Sequence, residues 1–515
     1  MVGIAISYTT LGIDAQQISV ECDHEGSMQS AVNIVGLASN SVKESKDRVF
    51  TALRNSGLSM ATARYTVNLA PADIKKDSSA LDLPIAIAVA MNNELIQRTT
   101  LKKVAIIGEL SLDGNVRPVD GVLPIAIAAK RDKVDILIVP HENAEEAAII
   151  DGIAVIPVTS LFETVQYLRG EIRIPEARVD RASIFQVLND FPIDMNDVKG
   201  QFQVKRALEV AAAGGHNLLM LGPPGSGKTM LARRVPTILP ELTLDEALEA
   251  TKIHSVAGFS KNFKNGILTT RPFRSPHHTI SEIALVGGGA FPKPGEVSLS
   301  HRGILFLDEL PEFKRGALEV MRQPMEDGVV TISRAIQSLS FPAEFMLIAS
   351  MNPCPCGYFG SNIPNHTCSC APAMIQRYRS KISGPLLDRI DLHVEVANVA
   401  YADLASLPTG DSSATIRARV NRARQIQLER FAKESFFCNT QMNSKALRKY
   451  CVLDDDCHSL LQNAIDKLGY SARVFDRILK VSRTIADLEG SGGIKAEHIS
   501  EAISYRSLDR KYWSQ

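Results

Sequence analysis

GPPGSGKT, Gly222 to Thr229, carries glycines, a lysine and a hydroxyl at the spacing that grips a polyphosphate. Gly222, Pro223, Pro224, Gly225, Ser226, Gly227, Lys228 and Thr229 lie between an apolar run, NLLML, and a helical one, MLARRV. Glycines let backbone N–H groups close around phosphates where a helix begins and its dipole favours negative charge. Lys228 is placed to reach the β- and γ-phosphates, and Thr229 supplies a hydroxyl for Mg²⁺. The pattern predicts a site for a nucleoside triphosphate.

Farther along, GILFLDELPEF reads as an apolar strand ending in Asp308 and Glu309. One carboxylate at such an end can hold Mg²⁺, while its neighbour orients and deprotonates an attacking water. A third apolar run, EFMLIASMN, ends at Asn352, whose amide can help position that water. The order of phosphate loop, acidic pair and polar strand end points to hydrolysis.

Directly after that strand, MNPCPCGYFGSNIPNHTCSC holds Cys354, Cys356, Cys368 and Cys370 in a loop broken by glycine and proline. Two short cysteine pairs can bring four thiolates round one ion, and zinc suits sulfur ligands in a closed tetrahedral, structural site. His366 is an alternative ligand, and sulfur sets of this kind also hold iron–sulfur clusters. Cys22, Cys438, Cys451 and Cys457 show no such spacing.

These residues need elements to position them. At 515 residues the chain exceeds the size of one core, so two or three domains are expected. Residues 1–170 alternate strand-like and helical runs and predict an α/β domain. A charged, weakly patterned stretch over 171–185 reads as a linker, and a second α/β pattern follows over 186–400. Residues 401–515 read as helices separated by Gly, Asn and Ser, an all-α bundle. The fold class is α/β with a helical C-terminal part.

Lys and Arg together number 57, as do Asp and Glu, which excludes a global basic field drawing the chain to polyanions. Basic residues are concentrated locally instead: Arg271, Arg274, His277, His278, Lys293 and Arg302 fall between the phosphate loop and the acidic pair. VVTISRAIQSLSFPAEF alternates like a hairpin with Arg334 near its tip. Arg271, Arg274, Lys293 and Arg334 are candidates for contacts to DNA. The start lacks the pattern of a signal peptide and the longest apolar runs, such as LPIAIAVAM, are too short to span a bilayer, so a cytoplasmic protein without membrane partners is expected.

The motifs GPPGSGKT, FRSPHHTISEIALVGGGAFPKPGEVSLSHRGILFLDELPEF, MRQPMEDG, NPCPCG, LLDRIDLHVEV and RTIADLEG resemble AAA+ ATPases, and more narrowly the magnesium-chelatase-like branch represented by the ComM/YifB family. The resemblance implies a P-loop AAA+ core that binds ATP and Mg²⁺ at a site shared between neighbours in a ring, expected to be a homo-hexamer. It implies Walker B roles for Asp308 and Glu309, a sensor role for Asn352, and an arginine finger at Arg389. A second sensor falls on Arg473, or on Arg477 four positions along the same predicted helix. The basic segment becomes a helix-2 insertion facing a central channel, and the alternating segment a pre-sensor-1 hairpin.

KKDSSALDLPIAIAVA and IIGELSLDGNVRPVDGVLPIAIAAK resemble a Lon-protease-like domain of S5 type. Ser78 or Ser79 can stand for a nucleophile, but Leu123 or Pro124 falls where the family has its lysine, so the fold is expected without proteolysis. The resemblance as a whole implies a DNA helicase acting on single-stranded and branched DNA, promoting branch migration in natural transformation and homologous recombination, with recombination proteins such as a recombinase as partners. The alternative is a chelatase-like ATPase that remodels a protein partner.

Overall fold

The computed structural model describes the chain except residues 1, 30, 38, 75, 77, 98–102, 181–190, 261–262, 264–265, 290–291, 334–337, 361–365, 399–409, 435, 469 and 514–515. Two compact units form. The first comprises Met1–Leu188, Leu244–Thr269 and Ser333–Phe341; the second comprises Asn189–Thr243, Thr270–Ile332 and Pro342–Gln515. The linker expected over 171–185 runs into residues 181–190, which lie outside the described residues.

In the first unit, seven strands form one sheet in the order Ala31–Val35, Ala63–Ala70, Asp14–Gly26, Gly3–Leu11, Val104–Ile106, Ile136–Pro140 and Ala154–Val158. Ala63–Ala70 alternates buried positions with more exposed ones, as a strand with one covered face requires. The apolar run seen in the sequence becomes the helix Asp82–Asn92, buried on every side. Its one carboxylate, Asp82, takes Arg48 Nε at 2.8 Å and Nη2 at 3.1 Å. Burial still pushes the Asp82 carboxyl up from its usual range, against the pull of Arg48.

Residues 244–269 sit within the α/β pattern that the sequence assigns to 186–400, yet they pack with the first unit. The buried Glu146 carboxylate marks that packing: it accepts from Leu123 N at 3.0 Å and from the Ser255 hydroxyl.

The second unit is built on five parallel strands in the order Phe273–Arg274, Ile304–Leu307, Met346–Met351, Leu218–Leu221 and Leu392–Glu395. ILFL, MLIASM and LLML are buried at every position, as strands covered on both faces must be. Parallel pairing brings the carboxyl ends of these strands to one edge. After them come helices Ser413–Arg430, Ser444–Tyr450, Asp455–Leu468, Ala472–Leu488, Ala496–Ser504 and Ser507–Trp513. Their starts follow local chemistry: Ser412, Asn443 and Ser471 cap the N–H groups of Thr415, Ala446 and Val474. Ile416, Val420, Ile478, Val481 and Ile485 join Leu218, Met220, Ile348 and Leu392 in one core. Among the described residues, no helix is long and apolar enough to cross a membrane.

Candidate functional site

The strand Leu218–Leu221 runs into the loop Gly222–Gly227 and then the helix Lys228–Arg234. The loop turns back sharply because Gly225 and Gly227 have φ of +76° and +89°, where a side chain is disfavoured. Lys228 is 9% exposed, and its ammonium donates to the Gly222 and Pro223 carbonyls at 2.8 Å each and to Asn352 Oδ1 at 3.2 Å. Burial lowers its pKa to about 8, against the opposing attraction of Asp308 and Glu309.

Thr229 Oγ1 donates to Asp308 Oδ2 at 2.7 Å. Asp308 also accepts from Ser350 Oγ and, through Oδ1, from Glu309 N at 3.1 Å. Ser350 escaped the sequence reading. Two-residue alternation along the strand Met346–Met351 offers a signal for it, since Ser350 and Asn352 then fall on one side. Glu309 has φ of +54°, an uncommon backbone setting for a residue with a side chain. Its Oε2 is 3.7 Å from His278 Nδ1, and the His277 and His278 rings lie 4.1 Å apart.

A hydroxyl and a carboxylate in contact are hard oxygen donors of the kind Mg²⁺ prefers, and a buried lysine beside a glycine turn suits a polyphosphate. The residues present therefore fit Mg²⁺ and ATP. The structure brings together Lys228, Thr229, Asp308, Glu309 and Asn352, as their motifs required.

The arginines divide differently. Arg389 is 7% exposed and donates to the Pro385 carbonyl at 2.7 Å and to Glu326. Its Nε is buried with no hydrogen-bond partner among the described residues, beside a cavity of about 500 Å³ lined also by Arg322, Gln323 and Glu326. Arg477 pairs with Asp391 and donates to the Arg389 carbonyl at 3.1 Å, while Arg473 is exposed. Glu326 is held below its usual range, first by its bond to Arg389 and also by the charges of Arg473 and Arg477. Nothing in the local sequence distinguished Glu326 from any helix-surface glutamate.

Arg271 and Arg274, expected to face DNA, are engaged internally. Arg271 donates to the Pro240, Arg302 and Glu241 carbonyls at 2.6, 2.7 and 3.2 Å, and Arg274 forms a two-point pair with Glu296 at 2.6 and 2.7 Å. A forked guanidinium satisfied by fixed oxygens on one chain is held in place, so both side chains organise their own segment. Arg302 likewise binds Glu344 at 2.7 Å. Lys293 is exposed on a short strand opposite Gly287 and Gly288. Arg334 lies in 334–337, outside the described residues; strands Val329–Ser333 and Ser338–Pro342 flank it in sequence.

Cys354, Cys356, Cys368 and Cys370 bring their sulfurs within 4.8 Å of one another. His366 instead stacks on Tyr358, ring centres 4.7 Å apart. Residues 361–365 of this loop lie outside the described residues. In the first unit, Ser78 Oγ accepts from Ala80 N at 3.1 Å, Ser79 donates to Glu109, and Leu123 is buried in the helix Val122–Arg131 with Pro124.

Comparison with known proteins agrees with this architecture. Residues 194–404 match the family described as magnesium chelatase, subunit ChlI; residues 20–143 match subunit ChlI of Mg-chelatase, and 410–506 match its C-terminal part. Competence protein ComM of Haemophilus influenzae is 42% identical over 509 residues, 98% of each chain. YifB of Escherichia coli is 41% identical over 501 residues, covering 97% of this chain and 96% of that protein. Lon protease 2 of Bacillus subtilis is 31% identical over 144 residues, 27% of this chain and 24% of that one. Fold, phosphate loop and matches together define a magnesium-chelatase-like protein of the AAA+ class, whose membership points to ATPase activity with ATP and Mg²⁺. Within that class, the chain belongs to the ComM/YifB family.

Proposed function

We propose that the chain is the subunit of a ring-shaped, hexameric ATPase that moves along single-stranded and branched DNA, driving branch migration during natural transformation and homologous recombination in the cytoplasm. The observation that carries this reading is the gathering of Lys228, Thr229, Asp308 and Asn352 at one sheet edge, in a chain similar along nearly its whole length to a competence protein.

The Lys228 ammonium exchanges loop carbonyls for phosphate oxygens when ATP binds. Thr229 and Asp308 would hold Mg²⁺, which offsets charge on the phosphates. Glu309 takes the proton of the attacking water, and Asn352 orients that water. Arg389 reaches the γ-phosphate of the adjacent subunit, where an arginine finger is worth about 10³–10⁵ in rate; its unpaired Nε supports that role. Of the second-sensor candidates, Arg473 is the one without an ion pair to Asp391. Cys354, Cys356, Cys368 and Cys370 would hold a structural zinc.

DNA contact falls to exposed Lys293 and to Arg334, repeated around a ring. Repetition concentrates charge that a neutral chain conceals, and binding then weakens with salt as counterions are displaced. Recombination proteins such as a recombinase are the partners this reading implies.

The experiment is ATPase assay of the purified protein with and without single-stranded or branched DNA, alongside sedimentation with nucleotide. Stimulation by DNA together with a nucleotide-dependent ring supports the reading; a monomer indifferent to DNA refutes it. The magnesium-chelatase matches and the internal engagement of Arg271 and Arg274 favour a second reading, remodelling of a protein partner. Stimulation by a protein partner without DNA affinity would distinguish it.

A further inference from the structure

Gly357, inside the cysteine loop, lies directly against Pro224 of the phosphate loop. A Cβ at Gly357 would stand 2.5 Å from Pro224 Cδ and 2.6 Å from Pro224 Cγ, closer than any real side chain tolerates. Gly357 also has φ of +89°, so only glycine meets both demands without strain. Its N–H donates to the Cys354 carbonyl at 3.0 Å, tying this contact to the first cysteine pair.

A second connection runs through the backbone. Pro353, immediately before Cys354, has its carbonyl gripped by Arg379 Nε and Nη2, each at 3.1 Å. The Arg379 guanidinium lies 5.0 Å from the Phe359 ring and 4.6 Å from the Tyr512 ring. Asn352, one residue earlier, accepts from Lys228 Nζ at 3.2 Å. A single residue, Pro353, therefore separates the first cysteine from a group that touches the phosphate-binding lysine.

The sulfurs are arranged for one small tetrahedral ion. Cys354 and Cys356 Sγ are 3.3 Å apart, Cys354 and Cys368 3.7 Å, and Cys356 and Cys368 3.6 Å. A zinc ion with bonds of about 2.3 Å would hold its sulfurs about 3.8 Å apart. Phe359 N donates to Cys354 Sγ at 3.3 Å, which fixes the position of that sulfur. A loop rich in Gly and Pro, with little apolar surface of its own, needs such an ion to keep one shape.

We propose that the four-cysteine site is a metal-dependent brace for the phosphate loop: zinc on Cys354, Cys356, Cys368 and Cys370 holds Gly357 against Pro224 and fixes Asn352 beside Lys228, so zinc occupancy sets nucleotide affinity. The brace rests on the ATP-site reading above. It makes Pro224, Gly357 and Pro353 positioning residues that act without touching the nucleotide's reacting atoms.

The test uses the full-length protein, its zinc content measured by plasma emission and its affinity for a fluorescent ADP analogue measured with Mg²⁺ present. Both are followed as isolated, after zinc removal by a strong chelator, and after reloading with Zn²⁺ or Cd²⁺. The expected result is about one zinc per chain and nucleotide affinity that falls about tenfold on removal. Either thiophilic ion restores it, while added Mg²⁺ alone does not. Gly357→Ala should weaken nucleotide binding to a similar degree while retaining zinc, which a general loss of folding would not do.

Protein that binds the analogue equally well in depleted and reloaded states overturns the brace, as does protein isolated without the metal. Iron in place of zinc, visible in the absorption spectrum, also overturns it. Zinc-loaded protein that binds no nucleotide at all counts against the ATP-site reading itself, and so separates the two failures.

Discussion

Thr229 Oγ1 and Asp308 Oδ2 meet at 2.7 Å, joining the phosphate loop to the end of the strand Ile304–Leu307. Ser350 and the Glu309 N–H hold the same carboxylate from other directions. Asp308→Asn keeps the size and an acceptor for Thr229 but removes the charge. The fold should persist, and the Mg²⁺ concentration for half-maximal ATP hydrolysis should rise about tenfold or more. A Mg²⁺ titration of activity checks this; an unchanged midpoint would remove Asp308 from the metal's ligands.

Lys228 carries a pH signature. Burial brings its pKa down to about 8, and a bound polyphosphate favours the ammonium and raises that value. Nucleotide binding near pH 8 should therefore take up a proton, and affinity should weaken as pH rises through that region. Calorimetry in buffers of different ionisation heat measures the uptake. Lys228→Ala should abolish both the uptake and tight binding.

Arg389 is expected to act on a neighbouring subunit. Arg389→Ala should lower kcat by about 10³ and change nucleotide affinity far less. Mixing it with Lys228→Ala subunits should restore activity, because an intact Arg389 then faces an intact phosphate loop. Mixed rings that stay inactive would assign Arg389 to its pair with Glu326 instead.

Asp391 anchors the strand Leu392–Glu395 beside the helical part. It accepts from Asn217 N at 3.0 Å, lies 3.5 Å from His216 Nδ1 and pairs with Arg477. Burial acts to raise its pKa, but Arg477 and His216 outweigh burial and hold the carboxyl well below the usual range. A carboxylate with a lowered folded pKa stabilises the protein above about pH 4, and that contribution is lost as pH falls towards the folded value. Asp391→Asn should cost about 3–5 kcal/mol at neutral pH, because Arg477 is left without its counter-charge. Its effect should shrink in acid. Denaturant unfolding at two pH values tests both statements.

Much of the nucleotide site was legible in the sequence because its chemistry needs particular residue types at fixed intervals. Lys228, Thr229, Asp308 and Asn352 each end or follow an apolar run, and parallel pairing of those runs had to bring them to one edge. Glu326 was not legible: its role depends on Arg389 and on the charges of Arg473 and Arg477, which only the fold gathers. The internal bonds of Arg271 and Arg274 were not legible either, since a basic residue in a loop looks the same in sequence whether or not backbone carbonyls or a Glu296 carboxylate hold it. The packing of 244–269 with the first unit was hidden for a similar reason. A buried Glu146 accepting from Leu123 and Ser255 leaves no periodic trace.

The most direct measurement is strand exchange on a fluorescent three-stranded junction, with ATP and the wild-type protein, compared with Lys228→Ala and Glu309→Gln. The expected outcome is ATP-dependent movement of the branch by the wild type. Lys228→Ala should fail for want of tight nucleotide binding, and Glu309→Gln should bind nucleotide yet move nothing, because the water keeps its proton. A junction left intact by an ATPase that is active and indifferent to DNA would contradict the motor reading.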